Sequence, residues 1–242
     1  TVLCLQFDQR HLVTGGKDGK IKLWNRHSMD VNSTDVPSFA VRPAEGDRYQ
    51  AYSLLATLEG HKAAVNALTM KDNVLVSGSG DSTIHIWSLQ TGEILQKVNI
   101  HHRGVACLQY NGRLIVSGST DNSARIYDVK QKSEVARLEG HTNAVRTIQV
   151  VSNDRAEAKA IITGSYDGSI RVWGQEPDYQ EWRTKHQSHF TGFQAHEDGQ
   201  PDDETDRFGN RIFSIDVDAN RFVCAGQGPV VRFWYFRSPG SK

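Results

Sequence analysis

Short apolar runs recur along the whole chain, and polar turns separate them. Residues 2–7 (VLCLQF), 65–70 (VNALTM), 105–110 (VACLQY), 145–150 (VRTIQV) and 212–217 (IFSIDV) read as first strands. Each is followed by a second run: LVTGG, LVSGS, LIVSGS, IITGS or FVCAG. A third then follows: IKLW, IHIW, ARIY, IRVW or VRFW. The runs are strand-sized and rich in β-branched residues, and a tight turn of Asp, Gly, Ser or Asn joins second to third. Apolar side chains stand on both faces of these runs. One such meander cannot bury both faces alone, so stacking on neighbours is required.

The spacing of the turn residues is regular. Asp18, Asp81, Asp121 and Asp167 each precede an aromatic residue by six positions: Trp24, Trp87, Tyr127 and Trp173. In the fifth segment Gly228 takes the Asp place before Trp234. His61 and His101 each lie 20 positions before their Asp, and His141 lies 26 before Asp167, the excess being an insertion at 152–159. Gly60-His61, Asp81 and Trp87 resemble one WD40 repeat, and Gly140-His141, Asp167 and Trp173 another. The resemblance implies an all-β WD40 β-propeller over residues 1–242, with about five blades and insertions at 25–53, 152–159 and 174–210. It also implies a structural hydrogen-bonded network of His, Asp and Trp, with Ser77 and Thr163 as hydroxyl members. His101 and Asp121 hold the same places in a third repeat. A catalytic His–Asp pair should occur once per protein, whereas these recur once per repeat.

The chain opens on a first strand and offers no fourth strand after Trp234. The expectation is an open part of a larger ring, seven-bladed in the resembled family, with a closed five-bladed ring as the alternative. An outer strand is expected near Phe190–Phe193, followed by an acidic loop over 197–206 that could compete with an anion for a basic mouth.

Composition narrows the function. The formal net charge is +0, from 28 Lys+Arg against 28 Asp+Glu, which disfavours a nucleic-acid binder. The apolar runs are too short to span a bilayer as helices. Cys4, Cys107 and Cys224 form no CxxC pair; Cys4 and Cys107 read as buried thiols in a reducing compartment, cytoplasm or nucleus. No nucleophile, metal-hydrolase or phosphate-loop motif is present. His186 and His189 lack a third ligand at metal spacing and read as loop histidines. The expectation is therefore no enzyme, no metal, no cofactor, no nucleic acid and no membrane.

Function then falls to the loops at the end where each His reaches its Asp. Lys17, Thr120 and Tyr166 stand just before the turn Asp; Asn66, Arg103, Arg146 and Arg211 stand at the start of the first strands. Arginine suits bidentate recognition of phosphate or carboxylate. The stretches 101–110 (HHRGVACLQY), 116–122 (VSGSTDN), 60–66 (GHKAAVN) and 164–168 (GSYDG) resemble F-box/WD40 proteins of the β-transducin-repeat-containing type. That resemblance implies a substrate receptor of a cullin-based ubiquitin ligase. It would bind phosphorylated protein segments through Asn66, Arg103, Gly104, Arg146, Tyr166 and Arg211, with Thr120 in place of a common Ser. It would reach the other ligase subunits through an F-box outside this sequence. Ser82 stands where an Arg is common, which removes one anion contact. The competing reading is a WD40 interaction scaffold unrelated to ubiquitin.

Overall fold

The computed structural model describes residues 1–44, 46–152, 158–175, 182–189, 211–217, 221–227 and 231–235. These build five successive antiparallel sheets. The first joins β1 (Val2–Phe7), β2 (His11–Gly16) and β3 (Ile21–Asn25) to β6 (Leu54–Leu58). A small hairpin, β4 (Met29–Asp30) with β5 (Arg48–Tyr49), lies in the insertion between them. The second sheet is β7 (Val65–Lys71), β8 (Val74–Ser79), β9 (Ile84–Ser88) and β10 (Ile94–Val98). The third is β11 (Val105–Tyr110), β12 (Leu114–Ser119), β13 (Ala124–Asp128) and β14 (Ser133–Leu138). The fourth is β15 (Val145–Ser152), β16 (Ala158–Ser165), β17 (Ser169–Gln175) and β18 (Trp182–His189). The fifth has β19 (Ile212–Val217), β20 (Arg221–Gly226) and β21 (Val231–Tyr235).

The residues gather into two compact units, Thr1–Ser117 and Gly118–Lys242. In the first unit the core runs between sheets one and two. Val13, Ile21, Leu23, Leu55, Val65, Leu75 and Trp87 are all buried there. In the second unit Ile162, Ile170, Ile212, Ile215 and Cys224 form the core between sheets four and five.

Glycine on the second strand lets neighbouring sheets meet closely. A Cβ on Gly78 would stand 2.6 Å from Val105 Cγ1, and one on Gly164 2.7 Å from Ile212 Cγ2. Both contacts fall inside van der Waals distance, so only glycine fits without a shift. A register shift recurs near the start of the first strands, at Val2/Cys4, Val65/Ala67, Val145/Thr147 and Ile212/Ser214. It is a one-residue bulge, which alters the alternation of side chains along the strand.

The insertion after Trp24 is tied down at its base and tip. Asn25 Nδ2 donates to the carbonyls of His27 and Gln50, each at 2.7 Å. The Phe39 ring rests on Gly92, where φ is +73° and a Cβ would meet the ring at 2.8 Å, so both the backbone and the contact favour glycine. Ser38 donates to the Gln90 carbonyl from both its N–H and its hydroxyl, at 3.1 and 3.0 Å.

Two expectations change. The outer strand of the fourth sheet is Trp182–His189, paired along β17, so His186 and His189 lie on a strand and not in a loop. Its mostly polar sequence, WRTKHQSH, hid it from a search for apolar runs. Residues 190–193, and the acidic loop at 197–206, lie outside the described residues. Cys4 and Cys107 are half-buried and only Cys224 is buried. Cys4 keeps a polar contact, its Sγ lying 3.3 Å from the Val65 carbonyl.

Candidate functional site

The turn Asp organises one end of each sheet. In the second sheet Asp81 accepts hydrogen bonds from the Lys62 N–H (2.8 Å), the Thr83 N–H (2.9 Å) and the Thr83 hydroxyl (2.6 Å). Its Oδ2 also lies 3.0 Å from His61 Nδ1. On the other side of the ring, His61 Nε2 lies 2.7 Å from Ser77 Oγ, which accepts from Trp87 Nε1 at 2.8 Å. One direction satisfies every group: Trp87 donates to Ser77, Ser77 to His61 Nε2, and His61 Nδ1–H to Asp81.

The fourth sheet repeats the relay. Trp173 Nε1 donates to Thr163 Oγ1 at 2.9 Å, Thr163 Oγ1 meets His141 Nε2 at 2.7 Å, and His141 Nδ1 meets Asp167 at 2.9 Å. Asp167 also accepts from the Thr142 N–H, the Ser169 N–H and the Ser169 hydroxyl. Burial disfavours charge on Asp81 and Asp167. The hydrogen bonds outweigh it and hold both carboxyls well below the usual carboxylate range.

Contacts of the same kind stand in other sheets. His101 Nε2 lies 2.8 Å from Ser117 Oγ. Asp121 accepts from the Ser123 N–H and hydroxyl and stands 3.7 Å from the buried Arg125. In the first sheet Trp24 Nε1 donates to Thr14 Oγ1 at 3.1 Å.

The candidate binding residues divide between the units. In the first, Lys17 and Arg103 are exposed. Asn66 is half-buried and its Nδ2 donates to the Val105 carbonyl at 2.9 Å, linking the second sheet to the third. A Cβ on Gly104 would stand 3.2 Å from Gly80 Cα, so its smallness serves a close approach of two backbones. In the second unit Thr120 is exposed and Arg146 half-buried.

Tyr166 and Arg211 come together. The Arg211 guanidinium lies over the Tyr166 ring, 5.2 Å from its centroid, and the Phe213 ring meets Tyr166 edge-on at 5.7 Å. The backbone fixes this cluster: the Tyr166 N–H donates to the Ala144 carbonyl, and the Gln227 N–H to that of Arg211. Phe213 was absent from the sequence-derived set. It occupies the second position of its first strand, as Asn66 and Arg146 do of theirs, and that shared position was the available signal.

A family model described as the tRNA methyltransferase TRM82 WD40 domain matches residues 48–172, just over half of the chain. A second, the WD domain, G-beta repeat, matches residues 1–25. The chain belongs to the WD40 family. Among similar proteins, Mitochondrial division protein 1 of Saccharomyces cerevisiae (strain YJM789) is 27% identical over 175 residues, 72% of this chain and 21% of the relative. CCR4-associated factor 4 of Saccharomyces cerevisiae (strain ATCC 204508 / S288c) is 32% identical over 104 residues, 41% of this chain and 15% of the relative. This WD40 chain thus spans about a fifth or less of the length of these two. Among solved structures, the RRP9 WD40 repeats match 97% of the chain and 62% of theirs, with TM-score 0.71 and 18% identity. The designed Ika8 protein matches 97% and 58%, with TM-score 0.69 and 24% identity. The fold is the all-β, partial WD40 propeller that the repeats predicted.

Proposed function

We propose that this WD40 chain is a protein-interaction platform that holds a segment of a partner at the turn end of its blades. The Tyr166–Arg211–Phe213 cluster is its contact patch in the second unit. One observation carries the reading. The His–Asp pairs of the second and fourth sheets are each closed into a relay inside their own blade. What the turn end exposes instead are Lys17, Arg103, Thr120, Arg211 and Phe213, which suit contact and not proton transfer. An arginine stacked on an aromatic ring is partly pre-ordered for binding, and aromatic and arginine side chains supply many interface anchors.

The narrower reading is a phosphodegron receptor of a cullin-based ubiquitin ligase. It draws its support from the resemblance of residues 101–110 and from the anion chemistry of Arg103, Arg146 and Arg211. The relatives above carry names of other kinds, so the platform reading stands ahead of it.

A peptide library tests both, its members synthesised with and without serine phosphorylation and titrated calorimetrically. The platform reading expects bound members whose affinity falls roughly tenfold or more in Tyr166→Ala and Arg211→Ala. Equal affinity for phosphorylated and plain forms would remove the phosphodegron reading alone. Binding untouched by either variant would overturn the contact patch.

A further inference from the structure

Three outer strands each leave one residue outside their pairing with the third strand. It is Leu55 in β6, Leu95 in β10 and Val135 in β14. All three are apolar, but their exposure differs. Leu95 is 58% exposed and Val135 45%, whereas Leu55 is fully buried. The insertion after Trp24 covers Leu55. The Val41 N–H donates to the Leu55 carbonyl at 2.6 Å, and Val36, Phe39 and Ala40 pack on the core that contains Leu55.

The covering segment, Pro37-Ser38-Phe39-Ala40-Val41, has the form of a bound ligand. The Ala40 N–H donates to the Pro37 carbonyl at 3.0 Å and closes a turn with Phe39 at its third position. Ser38 gives its N–H and its hydroxyl to the Gln90 carbonyl, and Val41 gives its N–H to Leu55. These acceptors are main-chain carbonyls, which recognise the shape of a segment, while pockets for its side chains select its sequence. The pocket here is the space over Gly92. In the matching turn of the third sheet Lys132 stands at φ +55°, so a side chain grows where Gly92 leaves room for a ring.

The segment covers its seat incompletely. Ser38 is exposed, Val41 is 65% exposed and Phe39 is only half-buried. The Arg10–Asp35 pair beside it has both side chains largely in water, where such a bond adds little. The base of the insertion is held separately, by Asn25 on the His27 and Gln50 carbonyls, so the turn can leave while the base stays.

We propose that Leu55, Gln90 and Gly92 form a docking site for a partner protein's turn of the same chemistry, a proline and a hydroxyl residue followed by an aromatic and a small residue. Residues 37–41 occupy that site in cis and compete with the partner. Gln90 and Gly92 follow the end of β9 away from Asp81, so the site is separate from the turn end. The inference is independent of the Tyr166–Arg211–Phe213 reading.

A fluorescein-labelled peptide of residues 33–43 (STDVPSFAVRP) serves as the probe. Fluorescence anisotropy compares its binding to the 242-residue chain and to Phe39→Ala, with a urea titration of each. The expected result is binding to Phe39→Ala at least about tenfold tighter than to the parent. Adding Gly92→Ala to that variant, or replacing the peptide's phenylalanine by alanine, should weaken binding by about tenfold. Equal affinity for parent and variant would overturn the proposal, as would no binding to a variant that unfolds cooperatively. Phe39→Trp gives a second readout that keeps a ring over Gly92. Excess peptide should move the emission of the introduced indole to the red as it leaves its seat. Emission unshifted at the highest soluble peptide concentration would overturn the proposal as well.

Discussion

The second and fourth sheets build the same relay and differ beside it. Two residues before the relay Trp, the second sheet has His85 and the fourth has Arg171. The His85 ring stacks on His61, centroids 3.9 Å apart and planes 11° from parallel. His85 Nε2 lies 3.3 Å from the Thr83 hydroxyl, and its Nδ1 is buried with no hydrogen-bond partner. Arg171 reaches the Gly140 carbonyl with Nη2 at 2.8 Å and lies 6.0 Å from the Trp173 ring centroid. The relay itself tolerates either neighbour, so it is the constant part of the blade. The neighbour decides how the blade responds to acid and how much room its glycine needs.

The largest expected effect tests the constant part. Asp81→Ala and Asp167→Ala each remove the acceptor of a buried His N–H and of a backbone N–H. Each should cost about 3 kcal/mol in chemical denaturation. A large loss at one site and none at the other would break the equivalence of the two relays.

Acid should separate the sheets by nearly as much. Burial first, and His61 second, push the His85 pKa down to about 4 from 6.5, with Asp81 opposing and Lys97 adding to the shift. Burial also lowers His61. The unfolded chain therefore takes up the His85 proton before the folded chain does. The stabilisation is complete above pH 6.5 and declines as pH falls toward 4, by about 3 kcal/mol in all. His85→Phe should flatten that slope, whereas Arg171→Phe should leave it. Denaturation midpoints across this pH range provide the check. Below the ordinary carboxylate range, the contributions of Asp81 and Asp167 are lost as well.

The glycines give a smaller contrast. Gly140 has φ +142°, and a Cβ there would stand 2.5 Å from Arg171 Nη1. On Gly60 it would meet Ile94 Cδ1, the far end of a flexible side chain, at 2.9 Å. Gly140→Ala should cost about 2 kcal/mol and Gly60→Ala about 1, measured by thermal unfolding. The smallest effect lies in the turns. Ser82 holds φ +72° where the fourth sheet has Gly168 at +78°. Ser82→Gly should stabilise by about 1 kcal/mol and Gly168→Ser destabilise by about as much.

The relays were legible because their Asp, His and aromatic positions repeat at fixed spacing in a fold that stacks like units. His85 was not, because a single His in IHIW reads as one more strand position and its stacking depends on where His61 lands. The contacts of Asn66 and Gly104 between sheets were not legible: the Asn66 Nδ2 bond to the Val105 carbonyl and the close approach of Gly104 to Gly80 depend on how neighbouring sheets meet. The pairing of Tyr166 with Arg211 was foreseen only as two residues at one end of the blades. The edge-on Phe213 needed the register of β19.

The central claim is that the relays hold the blades while the exposed arginine–aromatic cluster does the binding. Paired measurement of folding stability and of partner recovery from cell extract, on the Tyr166→Ala/Arg211→Ala double variant, tests it most directly. The account predicts a denaturation midpoint within about 0.5 kcal/mol of the parent and loss of specific partners. Full partner recovery at unchanged stability would contradict it.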